Sequence, residues 1–544
     1  MKKLVSRFMA VLMAMTMILT MSMTAFAAED ATRLTGTGKL TVNNTVEGKT
    51  LDLYQIFTAT KNEAGNVAYT LNPEYEGFFK ANVNGASELT GEALSEKAYE
   101  YVEKQVGKDG KNGVNFAKAM LTWILSNTSA VDATHKTVTT ATGSTEIANL
   151  AYGYYVVYPL GATDTSAAPG TGQDYTSVAS LVSVTDTNAT VNMKSNYPTV
   201  VKKVNDKNAD DVNIGDTVTY TLTSKVPDMT GYTSYVFNFK DTLSAGLTFK
   251  EITSVKVGET TITKVDAGQE ADNTYTLTQD GQNITITMNN FLASNANKVG
   301  QEIKVTYTAT LNKDAVTGFD PNTNKATVEY SNKPGTDDKG ESEPSKVDVH
   351  TFNFTIFKYY LKDATKTGLA SAEFELYKAN AAGDAADTDA KINIVDEGNG
   401  VYRQATADEA KATGFTSAKI VSDDDGKVLV KGLVAGTYYL RETKAPKGYN
   451  KLLSDIKVEI KANYDETTGK LTSYSVDYTY NGKTTNGTAI TNKDNSPEVA
   501  VENKTGAQLP STGSKGALMV TLAGIVLFGA LTASKAFGKK KAKN

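Results

Sequence analysis

The sequence predicts an all-β chain, three tandem β-sandwich domains with a helical insertion in the first. Short runs of alternating apolar and polar residues recur at Lys39–Val42, Thr217–Leu222, Asn283–Met288, Ile303–Ala309 and Lys427–Val430. Gly, Asn and Asp turns separate them, the pattern expected of half-buried strands in sandwiches. Breaks at Asn196-Tyr197-Pro198 and Ser342–Ser345 divide the chain into domains of about 31–196, 197–349 and 350–497. The exception is Ala86–Asn127, where Leu94, Ala98, Tyr101 and Val102, then Phe116, Met120, Trp123 and Ile124, recur at helical spacing. Two amphipathic helices follow, with Trp123 as a core anchor.

The two ends read differently. Lys2, Lys3 and Arg7 precede an apolar stretch, Phe8–Met23, and then Ala25-Phe26-Ala27, which predicts a secretory signal peptide cut between Ala27 and Ala28. Near the other end, Pro497–Gly506 reads as the start of a polar, disordered spacer reaching residue 508. Leu509-Pro510-Ser511-Thr512-Gly513 follows, then an apolar run from about Gly516 to Ala533 and the basic tail Lys539–Asn544. That run, about 18 residues long, just suffices to cross a hydrocarbon core. The lysines after it favour the cytoplasmic side, so the pentapeptide would be held outside.

Several function classes are excluded on composition. A net charge of -5, with no basic stripe carrying interleaved aromatics, argues against nucleic acid. There is no cysteine, hence no disulfide. Only His135 and His350 exist, neither with metal-spaced neighbours, so each reads as a surface or core residue and no metal or cofactor is expected. Gly-x-Ser-x-Gly and His-Glu-x-x-His are absent, which leaves a conventional hydrolase without support.

The C-terminal order of pentapeptide, apolar run and basic tail resembles a Gram-positive LPXTG cell-wall sorting signal. The resemblance implies that a sortase cuts between Thr512 and Gly513 and transfers the Thr carbonyl to an amine. Leu369–Tyr377 and Gly436–Tyr449, the latter similar to the pilin E-box, make the third domain resemble the CnaB-type immunoglobulin-like sandwich. Val200–Val204, Phe239–Phe249 and Asn324–Tyr330 make the second resemble the CnaA type. Gly153–Tyr158 resembles the E-box strand with Tyr158 in the slot of Glu442, so the first domain reads as a chemically altered CnaB relative.

In such domains the resemblance implies an isopeptide bond, formed when a buried lysine attacks an asparagine amide beside an acid. Desolvation must favour the neutral amine and the protonated acid. Alternation sets Lys358 with Phe354 and Ile356, and Lys202 with Val200 and Val204, each an apolar strand face. The implied triples are Lys358, Glu442 and Asn492, and Lys202, Asp241 and Asn324, with Asn322 as rival acceptor. In the first domain Asn43 takes the lysine slot and Tyr158 the acid slot, so no bond is expected there.

The whole chain is thereby similar to a major shaft pilin. It would be polymerised by a class C (pilin-type) sortase joining Thr512 to a lysine of the next subunit, and anchored to peptidoglycan by a housekeeping sortase. The family's Tyr-Pro-Lys motif is replaced here by Tyr197-Pro198-Thr199. Lys194, just upstream, is the chosen intersubunit lysine and Lys203 the second. Other copies head to tail and accessory pilins are the implied partners. The alternative is a monomeric or tip wall-anchored adhesin for a host or bacterial surface ligand. Neither reading makes the chain an enzyme, beyond single-turnover bond formation within itself.

Overall fold

A computed structural model describes residues 35–107, 113–162, 179–193 and 197–506. The signal peptide, Lys194, the Leu509–Gly513 motif and the Gly516–Ala533 run lie outside these residues. Among the described residues no helix is long and apolar enough to cross a membrane.

The chain forms tandem β-sandwiches, each made of two sheets. In the first, a three-stranded sheet (Gly143–Ala151, Thr37–Thr45, Ala189–Asn192) faces a sheet built on Thr50–Lys61 and Gly153–Pro159. Leu51, Leu53, Tyr155 and Val157 fill the space between the sheets. Tyr54, Ile56, Val156 and Tyr158 point the other way, into a second core made with the helices. Both faces of these strands are therefore covered, which is why they read as nearly continuous apolar runs. The predicted helices form at Gly91–Val106, burying Leu94, Ala98 and Val102, and Gly113–Ser126, burying Phe116, Met120 and Ile124. A shorter helix at Glu76–Asn82 was not foreseen. Trp123 packs on Tyr75 and Phe78, at centroid separations of 6.1 and 6.2 Å.

In the second domain one sheet carries Val201–Val204, Thr217–Lys225, Glu302–Leu311 and Leu247–Val257. The facing sheet is centred on Phe237–Leu243, between Asn283–Met288 and Asn322–Ser331. A single core of Val, Ile, Leu and aromatic residues lies between them. Asn283–Met288 matches the predicted run residue for residue.

The third domain opens with Phe352–Lys362, which pairs with Lys427–Leu433; Gly436–Lys444, in the opposing sheet, lies between Glu373–Ala379 and Ile456–Tyr464. Its last strand corrects the sequence reading. Glu498–Glu502, assigned above to a spacer over 498–508, pairs in parallel with Phe352–Lys362, and Pro497, Val499 and Val501 are buried. The domain therefore runs past residue 497. The segment's polarity misled because Glu498 and Glu502 lie off the face that alternation gives to Val499 and Val501.

The domains meet through directed contacts. Between the first and second, Lys49 Nζ lies 3.3 Å from the Tyr330 hydroxyl, 3.2 Å from the Glu341 carbonyl, and 5.0 Å from the Tyr197 ring centroid. Between the second and third, Asp211 accepts from the Ala435 N–H at 2.8 Å and the Tyr464 hydroxyl at 2.9 Å. Gly432 (φ +85°) packs so closely on Ile214 that an added Cβ would lie 2.7 Å from its Cδ1.

His350 sits at that second junction, buried, stacked on Phe352 at 6.4 Å and edge-on to Tyr464 at 6.0 Å, and its Nδ1 lacks a partner. Burial holds its pKa below the ordinary value, and Asp348, Asp211 and Asp320 oppose the shift. A folded value below the unfolded one means that the unfolded chain binds more protons between the two. The stability from neutral His350 is thus present above about pH 6.5 and lost as pH falls below it. In chemical denaturation from pH 7 to pH 5, wild type should lose stability relative to His350→Phe; a pH-independent difference would refute this.

Candidate functional site

Lys202, Asp241 and Asn324 come together in a buried cluster of the second domain, and Lys358 and Glu442 in one of the third. In the second domain, alternation along Val201–Val204 leaves Val201 half exposed and turns Lys202 inward, its side chain fully buried. Lys202 pairs in register with Leu222, and Tyr220 on that neighbouring strand pairs with Tyr307 on the next. Asp241 and Asn324 come from adjacent strands of the facing sheet. The cluster therefore spans the sandwich.

Lys202 Nζ forms a short ion pair with Asp241 Oδ2 and donates to the Tyr307 hydroxyl at 2.7 Å. It also lies 5.0 and 5.1 Å from the Tyr220 and Tyr307 ring centroids. The Tyr307 hydroxyl donates to Asp241 Oδ2 at 2.8 Å and accepts from Asn324 Nδ2 at 2.7 Å. Asp241 Oδ1 and Asn324 Oδ1 are buried with no partner. Desolvation lowers the Lys202 pKa, with Asp241 opposing. The rival Asn322 is engaged elsewhere: it accepts from the Val316 N–H at 2.9 Å and donates to the Val316 and Val349 carbonyls at 2.9 and 3.2 Å.

In the third domain Phe354, Ile356 and Lys358 share the buried face of their strand. Glu442 comes from the opposing sheet, on the face of Tyr438 and Leu440. Both side chains are wholly buried, and Lys358 Nζ lies 3.1 Å from Glu442 Oε1, although neither atom completes a directed hydrogen bond. Nζ also lies 5.8 Å from the Phe374 centroid. Desolvation brings the Lys358 pKa down to about 8, against the pull of Glu442.

The amide near this pair is not the expected one. Asn492 is exposed, and its Oδ1 accepts from the Asp494 N–H at 3.1 Å and Asn495 Nδ2 at 3.0 Å, a local turn. Asn503 occupies the site instead. It is 2% exposed, its backbone N–H donates to the Tyr359 carbonyl at 2.9 Å, and its Nδ2 reaches Glu442 Oε2 at 3.4 Å and the Asn450 carbonyl at 2.5 Å. Its Oδ1 has no partner. The signal was present, since Val499 and Val501 alternate inward and Asn503 is next in that series. Ending the domain at 497 hid it. Tyr307 was likewise overlooked, although Ile303, Val305, Tyr307 and Ala309 all face inward.

In the first domain the two residues aligned with the lysine and acid slots do not face the space between the sheets. Asn43 lies off the core-facing series Leu40 and Val42 and donates to Asn192 Oδ1 at 2.9 Å. Tyr158 faces the helices, not the space between the sheets. The buried carboxylate there is Asp52, held by His135 Nε2 at 2.9 Å and the Thr137 hydroxyl at 2.8 Å. Of the two intersubunit candidates, Lys194 lies outside the described residues, and Lys203 donates to Asn208 Oδ1 at 2.5 Å.

Residues 214–334 match the family described as Gram-positive pilin backbone subunit 2, Cna-B-like domain, and residues 355–475 match the prealbumin-like fold domain. The sequence reading had expected the A type for the second domain. Among curated proteins, the chain is 26% identical over 340 residues to the trypsin-resistant surface T6 protein of Streptococcus pyogenes, covering 56% of this chain and 52% of that one. It is 29% identical over 268 residues to the fimbrial subunit type 2 of Actinomyces naeslundii, covering 46% and 48%. The chain thus spans about half the length of the curated relatives it matches. Similar solved structures include the T6 backbone pilin of serotype M6 Streptococcus pyogenes (18% identical, TM-score 0.46, 88% of this chain and 100% of that one). Another is the major pilin SpaA of Corynebacterium diphtheriae (15%, TM-score 0.42, 86% and 99%).

Removing one partner of a buried ion pair strands the other charge, at a cost of about 3–5 kcal/mol. In an Asn503→Ala background, which excludes a covalent contribution from that side chain, Glu442→Ala should lower third-domain stability by that amount in urea. Adding Lys358→Met should recover most of it. A loss below about 1 kcal/mol would mean the pair is solvated in solution.

Proposed function

We propose that this chain is the structural shaft subunit of a covalent cell-surface pilus of a Gram-positive bacterium, with two of its domains closed by lysine-asparagine bonds that it forms unaided. The observation that carries this reading is the pair of buried Lys-acid-Asn clusters, each with a desolvated amine paired to a carboxylate and a buried amide bonded into the same cluster. The pilin family matches and the curated relatives support the same class.

The chemistry follows from the contacts. Within each cluster the lysine ammonium passes a proton to the carboxylate, leaving a neutral amine and an acid. The amine attacks the amide carbon, the acid hydrogen-bonds the developing oxyanion, and ammonia leaves. Lys202 would join Asn324 with Asp241 as acid; Lys358 would join Asn503 with Glu442 as acid. Each bond closes a loop on the order of a hundred residues, which by the chain-entropy argument contributes about 5 kcal/mol.

Polymerisation would use Thr512, delivered by a pilin-type sortase to a lysine of the next subunit, with Lys194 first and Lys203 second. A housekeeping sortase would transfer the base of the polymer to peptidoglycan, and accessory pilins would join the shaft.

Intact mass of the folded mature chain should fall short of the sequence mass by roughly 34 Da, two ammonia molecules. Asn503→Ala and Asn324→Ala should each restore roughly 17 Da of that deficit relative to their own calculated mass, whereas Asn492→Ala should restore none. A full-mass wild type would sink the bonds. Co-expressed with a pilin-type sortase, the chain should give a ladder that Thr512→Ala and Lys194→Ala abolish; a ladder that survives Lys194→Ala and vanishes in Lys203→Ala reassigns the acceptor.

A further inference from the structure

The two clusters differ in one respect that bears on how the bonds would form. In the third domain the carboxylate itself reaches the amide nitrogen, through the contact between Glu442 Oε2 and Asn503 Nδ2. In the second domain no hydrogen bond joins Asp241 to Asn324; the hydroxyl of Tyr307 stands between them.

We infer that Tyr307 is a catalytic residue of the second domain, carrying the proton from the attacking nitrogen of Lys202 to the departing nitrogen of Asn324. This rests on the bond-forming reading above. Its warrant is geometric, because one oxygen is hydrogen-bonded at once to the nucleophile (2.7 Å), the leaving group (2.7 Å) and the acid (2.8 Å). Amide aminolysis requires this transfer, since the amine must lose a proton and the poor NH₂ leaving group must gain one.

The step balances without a co-reactant. Lys202 first gives a proton to Asp241. Asp241 no longer needs the Tyr307 hydrogen, and the hydroxyl can turn it toward Asn324 Nδ2. Nζ bonds to Cγ, and the carbonyl electron pair moves to Oδ1. Tyr307 then takes a proton from Nζ as it gives its own to Nδ2. The Cγ–Nδ2 bond breaks, the carbonyl re-forms, ammonia leaves and the hydroxyl is restored. Burial and the Asp241 charge raise the phenol pKa far above its ordinary value, so the group acts as a neutral relay and not as a phenolate base. Its ring is held by Tyr220 at 5.2 Å and Phe249 at 5.8 Å, which fixes the oxygen between its partners.

The third domain supplies an internal control in the same molecule. The full mature chain would be made by cell-free synthesis, quenched in acid at intervals and weighed intact. In wild type both ammonia deficits should appear. In Tyr307→Phe, which keeps the stacked ring, the third-domain deficit should appear on schedule and the second-domain deficit about 10²-fold more slowly. Peptide mapping assigns each deficit to its domain. Second-domain closure at the wild-type rate in Tyr307→Phe would overturn the relay, while absence of both deficits in wild type would remove the parent reading itself. Should Tyr307→Phe fail to fold, 3,5-difluorotyrosine at 307 preserves shape and acidifies the hydroxyl. A shifted pH profile and an altered solvent isotope effect are expected there, and an unchanged rate and profile would again overturn the proposal.

Discussion

A lysine ammonium enclosed between two apolar sheets is the constraint on which the last two domains depend. Neither Lys202 nor Lys358 can reach water, so each needs a counter-charge within a few ångströms and a wall of side chains that hold it there. Ion pairs so placed stabilise little compared with apolar packing of equal volume. The same desolvation that makes the pair costly lowers the amine's proton affinity, which is the property the proposed bond formation would use. Asp241 Oδ1, Asn324 Oδ1 and Asn503 Oδ1 are buried in the two clusters without a hydrogen-bond partner.

Much of this was legible in the sequence, for identifiable reasons. Period-two alternation around Val200–Val204 and Phe354–Lys358 assigns each lysine to the apolar face of its strand, and burial follows. The helical insertion was equally plain, since Leu94, Ala98 and Val102 fall on one side of a helix. Asn503 was missed for a reason of a different kind. A strand added in parallel at the end of a domain has no hairpin to announce it, and Glu498–Glu502 carries two charges on its outer face. Tyr307 was missed because a tyrosine in an inward-facing series reads as core, and nothing local says that its hydroxyl will meet three polar groups brought from distant strands.

The first domain puts the same architecture to a different use. Its central strands are covered on both sides, by a sheet and by helices, and its buried carboxylate Asp52 is met by His135 and Thr137. The face of these strands turned away from the other sheet is spent on the insertion.

The parallel pairing of Glu498–Glu502 with Phe352–Lys362 has a mechanical meaning. These are the entry and exit strands of the third domain, adjacent and in register from Thr355 opposite Glu498 to Tyr359 opposite Glu502. Tension along the chain pulls them past one another, so their hydrogen bonds resist together in shear and do not open one by one. Force entering at Phe352 leaves at Glu502 through neighbouring strands of one sheet, and the strands folded between them carry almost none of it.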